Sequence, residues 1–226
     1  MGMGYGVSLT SFLLALGVPP AAASASVHAS EIFTSGVSGI SHLTFKNVDF
    51  KLLRKLIIPG VLGGVVGAYL LTELPAARIK PYISAYLLVM GVVIVARALR
   101  KKDLPDKGPR FAIPLALFGG FLDAVGGGGW GPVVTTNLVA GGSPPRTTIG
   151  SVNLAEFFVT VAESITFVLT IGLTNWKIIL GLIIGGVIAA PLGAFLCRHL
   201  PRRPWSIAVG LLIIGLSIRT LVLALK

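Results

Sequence analysis

The sequence predicts an all-α polytopic membrane protein made of two homologous repeats, each a broken or re-entrant helix followed by three transmembrane helices. Three observations predict it. Hydrophobic residues supply 54% of the 226 residues and charged residues only 12%, roughly half the charged share of a soluble domain. The apolar residues run in continuous blocks of ~20, the length a helix needs to cross the hydrocarbon core. Strict alternation, the mark of a membrane β-barrel, is absent, so helices must satisfy the backbone. The third observation is that the chain repeats itself.

At a shift of 125 residues, Gly2, Gly4 and Gly6 fall on Gly127, Gly129 and Gly131. Tyr5 falls on Trp130 and Thr10 on Thr135. Gly17, Pro19 and Pro20 fall on Gly142, Pro144 and Pro145, while Ser26, Val27, Glu31 and Phe33 fall on Ser151, Val152, Glu156 and Phe158. At a shift of 126, Gly60, Gly67, Ala68 and Pro75 fall on Gly186, Gly193, Ala194 and Pro201. Such self-similarity marks two copies of one unit. The expected division is 1–100 for the first repeat, 101–110 for a basic linker and 111–226 for the second.

The second unit reads completely. A half-segment, Phe111 to Val125, precedes a glycine break at Gly126 to Gly131, and a second half-segment, Pro132 to Ala140, leads to a Gly-Ser-Pro-Pro turn. Long segments follow at about Arg146 to Ile171, Lys177 to Cys197 and Pro204 to Leu225. The first unit has them at about Ala21 to Phe45, Leu52 to Leu74 and Ile79 to Leu99. Tyr82, Trp176 and Trp205 lie near segment ends, where aromatic side chains anchor in the interface. Residues 111 to 126 have no partner in the first unit, so a matching half-helix is expected before Met1. Val7 to Val18 followed by Ala21 to Ala25 imitates a signal peptide. However, no Lys or Arg precedes Lys46, and the same pattern recurs in mid-chain.

The net charge is +11, and most of the basic residues cluster at Lys46 to Lys55, Arg97 to Arg110 and Arg198 to Arg203, each cluster flanking an apolar block. That is loop charge, not a nucleic-acid patch. If the broken segment spans, the third cluster falls on the opposite face from the other two. If it re-enters, all three share one face and the units are inverted, which the positive-inside rule favours. With Cys197 the sole cysteine, no intrachain disulfide or thiolate cluster can form.

The chemistry lies in polar residues within apolar blocks. Of eight acidic residues, Glu31, Asp123, Glu156 and Glu163 sit inside such blocks. Each costs roughly 2.5–3.5 kcal/mol at a helix centre unless it faces a cavity or partner. Ser24, His28, Glu31, Ser35, Ser38 and His42 form one helical stripe; Asn153, Glu156, Thr160 and Glu163 form the matching one. Interhelical glue would account for the hydroxyls, but a stripe with Glu in both units reads as a lined pathway. Gly126-x-Gly128-x-x-Gly131 matches a dinucleotide fingerprint only literally, because no strand precedes it. As a helix break it would aim free N–H groups and a positive dipole end at the gap, with Pro132 in the first turn and Thr135, Thr136 and Asn137 as further donors. No metal-ligand cluster, catalytic triad or cofactor motif is visible, so neither an enzyme nor a cofactor is expected.

These residues resemble the sulfite exporter TauE/SafE family, also called the toluene sulfonate uptake permeases. The carriers of the resemblance are Gly2-Met-Gly-Tyr-Gly6, Pro19-Pro20 and Ser26-Val-His-Ala-Ser-Glu31, and in the second unit Asp123-Ala-Val-Gly-Gly-Gly-Gly-Trp-Gly-Pro132 and Gly150-Ser-Val-Asn-Leu-Ala-Glu156. The resemblance covers nearly the whole chain. It implies a multi-pass carrier in the bacterial inner membrane that exports sulfite or organosulfonates. The expected partners are a small anion and the lipid bilayer, with a homo-oligomer left open and no nucleic acid.

The substrate is then expected near the midplane, between the glycine breaks. Gly4, Tyr5, Gly6, Gly128, Gly129, Trp130, Gly131 and Thr135 would surround it, and Ser26, Ser151 and Asn153 would bind its oxygens. His28, Glu31 and Glu156 are expected to couple transport to protons. A different class of reading is a cation or metal permease using Glu31, Glu156 and Glu163 as ligands. A third, a membrane-embedded structural partner, is disfavoured because a scaffold needs no unwound backbone in lipid.

Overall fold

The computed structural model describes residues 4–99, 111–172, 175–186 and 202–224. The expectations for Gly2, the 101–110 linker, Cys197 and most of the Arg198 to Arg203 cluster fall outside these. Every regular element among the described residues is a helix. The elements are α1 (Tyr5–Ala15), α2 (Pro20–Thr44), α3 (Phe50–Glu73), α4 (Ala76–Leu99), α5 (Ala112–Gly126), a π-helical turn (Gly131–Thr135) continuing into α6 (Thr136–Ala140), α7 (Pro145–Ile171), α8 (Trp176–Gly186) and α9 (Arg202–Ala224).

Four stretches are long and apolar enough to cross a membrane: Phe50–Glu73, Ala76–Leu99, Arg146–Ile171 and Ser206–Ala224. Helix α2 is as long but more polar, because it turns Ser24, Ser26, His28, Ser30, Glu31 and Ser35 into the interior. The exterior is the reverse. Ile58, Leu62, Val66 and Tyr69 run as an exposed stripe along α3. Polar groups inside and apolar groups outside suit a protein whose solvent is lipid. Tyr82 and Trp176 are exposed near the starts of α4 and α8, as interfacial anchors require.

The broken segment turns back on itself. At its tip, a Cβ built on Gly129 would lie 3.4 Å from the Asp123 nitrogen; lower down, one on Gly119 would lie 2.3 Å from Val134 Cγ2. The returning chain therefore descends alongside α5. Ala112, at the start of α5, and Leu138, near the end of α6, share one apolar cluster with Leu52 and Val152, from the early turns of α3 and α7. Helix α5 has 15 residues, ~22 Å of rise, short of the ~30 Å hydrocarbon. The hairpin enters and leaves on one face.

That face also holds the end of α2, since a Cβ on Gly150 would meet Asn47 O at 2.0 Å. Here Arg146 Nε donates to Asn47 Oδ1 and Arg146 Nη2 to Phe45 O at 3.2 Å. Asp49 caps α3 by accepting from Lys51 N at 2.8 Å. Helices α4 and α9 run antiparallel: Cβ atoms on Gly91 and Gly210 would meet Ile214 at 2.9 Å and Val95 at 2.5 Å. So α9 begins on the face where α4 ends. Lys46 to Lys55, Arg97 and Arg202 consequently share one face, which the positive-inside rule assigns to the cytoplasm. Helices α2 and α7 are also antiparallel, with Gly36 against Phe157 and Gly39 against Leu154.

Two turns match closely. Gly17 and Gly142 have φ of +91° and +94°. Val18 N donates to Leu13 O and Ser143 N to Leu138 O, both at 3.0 Å. Each is a glycine-terminated helix end followed by Pro-Pro opening the next helix.

Glycine lets α3 and α5 touch backbone to backbone. A Cβ on Gly63 would lie 2.0 Å from Leu117 O, and one on Gly120 2.2 Å from Gly60 O. Without a hydrophobic force between helices in lipid, such close van der Waals contact supplies the association. A Gly120→Leu variant should lose at least the ~1–3 kcal/mol of an overpacked core. Gly215, whose added Cβ meets nothing within 4 Å, should accept the same change. Thermal unfolding of the detergent-solubilised variants checks this. In a Cys197→Ser background, single cysteines at Lys51 and Arg146 should be labelled from the cytoplasmic side, and cysteines at Glu73 and Gly172 from the other. Labelling of Lys51 and Arg146 positions from opposite sides would refute the re-entrant hairpin.

Candidate functional site

The site forms where the tip of the hairpin meets α1, α2, α4 and α7. Helix α5 is capped by Gly127, φ +62°, and Gly128 follows at φ +144°; both values favour glycine. The tip is held from three sides. Thr10 Oγ1 on α1 donates to Gly127 O. Ser24 Oγ on α2 donates to Ala124 O at 2.6 Å, and Tyr86 OH on α4 donates to Gly128 O at 3.3 Å. The two glycine-rich stretches face each other, since a Cβ on Gly6 would lie 2.9 Å from Gly128 Cα and 2.7 Å from Glu31 Oε1.

The returning half-helix does present an N–H to the break, but the chain meets it with its own carboxylate. Trp130 N donates to Asp123 Oδ1 at 2.9 Å. This leaves Asp123 Oδ2 directed at His28 Nε2, 3.7 Å away.

His28 is the hub. Its Nδ1 lies 2.8 Å from Ser24 O. A carbonyl only accepts, so Nδ1 carries the hydrogen and Nε2 is turned toward the acids. Glu163 Oε2 is 2.9 Å from Nε2, and Glu31 Oε2 is 4.0 Å from it. His28 and Glu163 are 0% exposed. The 2.9 Å separation is an ion-pair distance, but neither His28 Nε2 nor Glu163 Oε2 makes a hydrogen bond within the described residues. Asp123 Oδ2, Glu31 Oε2 and Glu163 Oε1 accept no hydrogen bond within the described residues. His28, Asp123 and Glu163 also bring donor atoms within 4.8 Å of one another, a spacing that could hold an ion.

Beside the cluster lies a cavity of about 10 Å³, lined by Tyr5, Gly6, Glu31, Asp123, Gly128 and Glu156 among others. That is room for about one water. The chain is therefore shut around the meeting point of the breaks in this conformation.

Of the residues singled out by sequence, Tyr5, Gly6, Glu31, Gly128, Gly129, Gly131 and Glu156 come together on this cavity, and His28 stands beside it. Gly4 lies one step away, lining a larger cavity with Tyr5. Trp130 contributes its backbone here; its ring is buried, its Nε1 donates to Val152 O at 3.0 Å, and it packs against Gly60. Thr135 is buried in the π-helical turn. Thr136 and Asn137 donate to carbonyls of their own half-helix, Gly131 O at 3.3 Å and Val133 O at 2.6 Å.

Three others stand elsewhere. Ser26 donates back to Ala22 O at 2.7 Å. Ser151 accepts from Asp49 N at 2.8 Å on the basic face, and Asn153 Nδ2 donates to Ser38 Oγ at 3.0 Å between α7 and α2. The structure adds Asp123 and Glu163 to the cluster. Their position inside apolar blocks was the available signal. Tyr86 and Ser24, which hold the tip, gave none as tip contacts.

Residues 1–220 match the sulfite exporter TauE/SafE family. Over 232 aligned residues the chain is 42% identical to the probable membrane transporter protein YtnM of Bacillus subtilis (strain 168), covering 98% of this chain and 77% of that protein. No solved structure matches. With its membrane-length apolar helices and inward-turned polar groups, the chain belongs to the sulfite exporter TauE/SafE family and is a multi-pass membrane transporter of that type.

Proposed function

We propose that the chain is a proton-linked secondary transporter that exports a small sulfur oxyanion, sulfite or an organosulfonate, across the bacterial inner membrane. The observation that carries the proton linkage is the buried cluster of His28 with Glu31, Asp123 and Glu163 at the facing glycine breaks. Glu156 lines the same cavity. Carboxylates gathered out of water must share protons among themselves. An anion arriving at the breaks meets those carboxylates. Each proton they take up lowers the repulsion, and each anion bound favours proton uptake in return. That reciprocity is the physical content of coupling.

The same proposal takes 1–100 and 111–226 as two inverted units joined by the linker 101–110. The matched Gly17 and Gly142 turns support it, as does the antiparallel packing of α2 on α7 and α4 on α9. Such an axis lets one unit rock against the other around a shared site. The anion site is then assembled from Gly4, Tyr5, Gly6, Gly128, Gly129, Trp130 and Gly131 as the closed cavity opens. Thr135, Ser26, Ser151 and Asn153 reach the anion only if the helices shift.

A cation permease is the second reading, favoured by the spacing of His28, Asp123 and Glu163. Labelled sulfite flux in proteoliposomes, with and without a pH gradient, separates the two. Wild type should carry sulfite faster when the gradient places protons on the sulfite side. Glu31→Gln, Glu156→Gln and Glu163→Gln should each reduce flux by about tenfold or more, ~1.4 kcal/mol, and abolish its response to the gradient. Wild-type flux and pH response in all three would remove the coupling role. Divalent-cation flux without sulfite flux would establish the second reading instead.

A further inference from the structure

The cavity at the breaks is both small and acid-lined, so it cannot be where an anion waits. A second cavity lies next to it and shares Tyr5 and Pro132 in its lining. Its volume is about 560 Å³, within the ~300–1,000 Å³ range of small-molecule sites. Arg97 contributes a guanidinium; Tyr5, Ser8, Thr136 and Ser206 also line the cavity, the first three with hydroxyls that already donate to Leu182 O, Gly4 O and Gly131 O. The remaining wall is apolar, from Val93, Ile94 and Val209 among others. Arg97 Nη1 donates to Pro132 O at 3.4 Å, which places the cation at the start of the returning half-helix.

The cavity is confined to one side of the breaks. Arg97 is near the end of α4 and Ser206 near the start of α9, both on the basic face. Toward the other face, the space among α1, α4 and α9 is filled by buried Leu13, Leu14, Ile83, Leu87 and Ile213. One side is hollow and carries an arginine; the other is packed.

We propose that this cavity is the anion-receiving chamber of the basic face, with Arg97 as its cation, and that it takes an oxyanion bearing an apolar group in preference to a bare inorganic one. The inference rests on the transporter reading above and adds the site and its preference. A guanidinium offers several donors in one plane to the oxygens of a sulfonate. The apolar wall gives the rest of such a molecule a place out of water. A four-atom ion would leave most of the 560 Å³ unfilled. The carboxylate cluster lies one residue layer further in, past Tyr5 and Pro132, so the anion reaches the proton-holding groups only after leaving Arg97.

The test combines binding and flux. Methane-, butane- and benzenesulfonate are added to purified protein in detergent, and thermal stabilisation is recorded. The same compounds compete with labelled sulfite in proteoliposomes. Wild type should bind them with affinity rising about tenfold from methane- to benzenesulfonate. Arg97→Gln should weaken all three about tenfold, Arg97→Lys should restore part of the loss, and Val209→Trp, which fills the chamber, should erase the advantage of benzenesulfonate. Wild-type flux with binding and competition unchanged in Arg97→Gln and Val209→Trp would overturn the chamber. Binding that needs Arg97, without flux of any anion, would uphold the chamber and overturn the transporter reading.

Discussion

The Nδ1–H of His28 donates to Ser24 O at 2.8 Å, and the rest of the site depends on that bond. It settles which imidazole nitrogen faces the carboxylates. It is also local, one helical turn back along α2, so the ring is oriented before any other helix is in place. The same Ser24 gives its hydroxyl to Ala124 O. One residue thus orients the histidine and holds the tip of the α5 hairpin beside it. The hairpin in turn delivers Asp123, and α7 delivers Glu163 within 2.9 Å of His28 Nε2. In lipid these groups have no water to turn to, so each must find its partner inside the protein.

Glycine supplies the room. Helix α3 lies so close to α5 that Gly63 and Gly67 leave no space for a Cβ, and at Gly60 the Trp130 ring and Val159 fill that space. At Gly64 the displaced volume is the Glu163 carboxylate, 2.5 Å from where a Cβ would stand. One glycine-lined helix therefore serves two ends, docking the hairpin and admitting the acid. The consequence is a tight centre with about 10 Å³ free, flanked on the basic side by a chamber of about 560 Å³. A centre this closed beside an open vestibule is what one end state of a two-state carrier looks like, and passage requires the breaks to part.

Much of this is legible in the sequence. Continuous apolar blocks placed the helices, and the glycine run placed the break. Basic clusters favoured a re-entrant segment, and the hairpin does turn back at Gly127 and Gly128. Glu31 and Glu156 were marked by helical stripes, because spacing along one helix reports one face. What spacing cannot report is which faces of different helices meet. Asp123 and Glu163 were visible as costly acids, but their convergence on His28 depends on the hairpin's depth and on how closely α3 approaches. Ser26 and Ser151 show the opposite limit. They match in sequence, yet their hydroxyls are spent elsewhere, on Ala22 O of the same helix and on the Asp49 backbone at the basic face. The Arg97 chamber had no motif at all, since its lining comes from α1, α4, the π-helical turn and α9.

In the proposed transporter, protons held around His28 move with the anion. The most direct measurement is lumenal pH in proteoliposomes during outward movement of an alkanesulfonate, which brings no proton of its own, with membrane potential clamped. The lumen should turn alkaline in step with the anion's exit. Anion exit with an unchanged lumenal pH would contradict it.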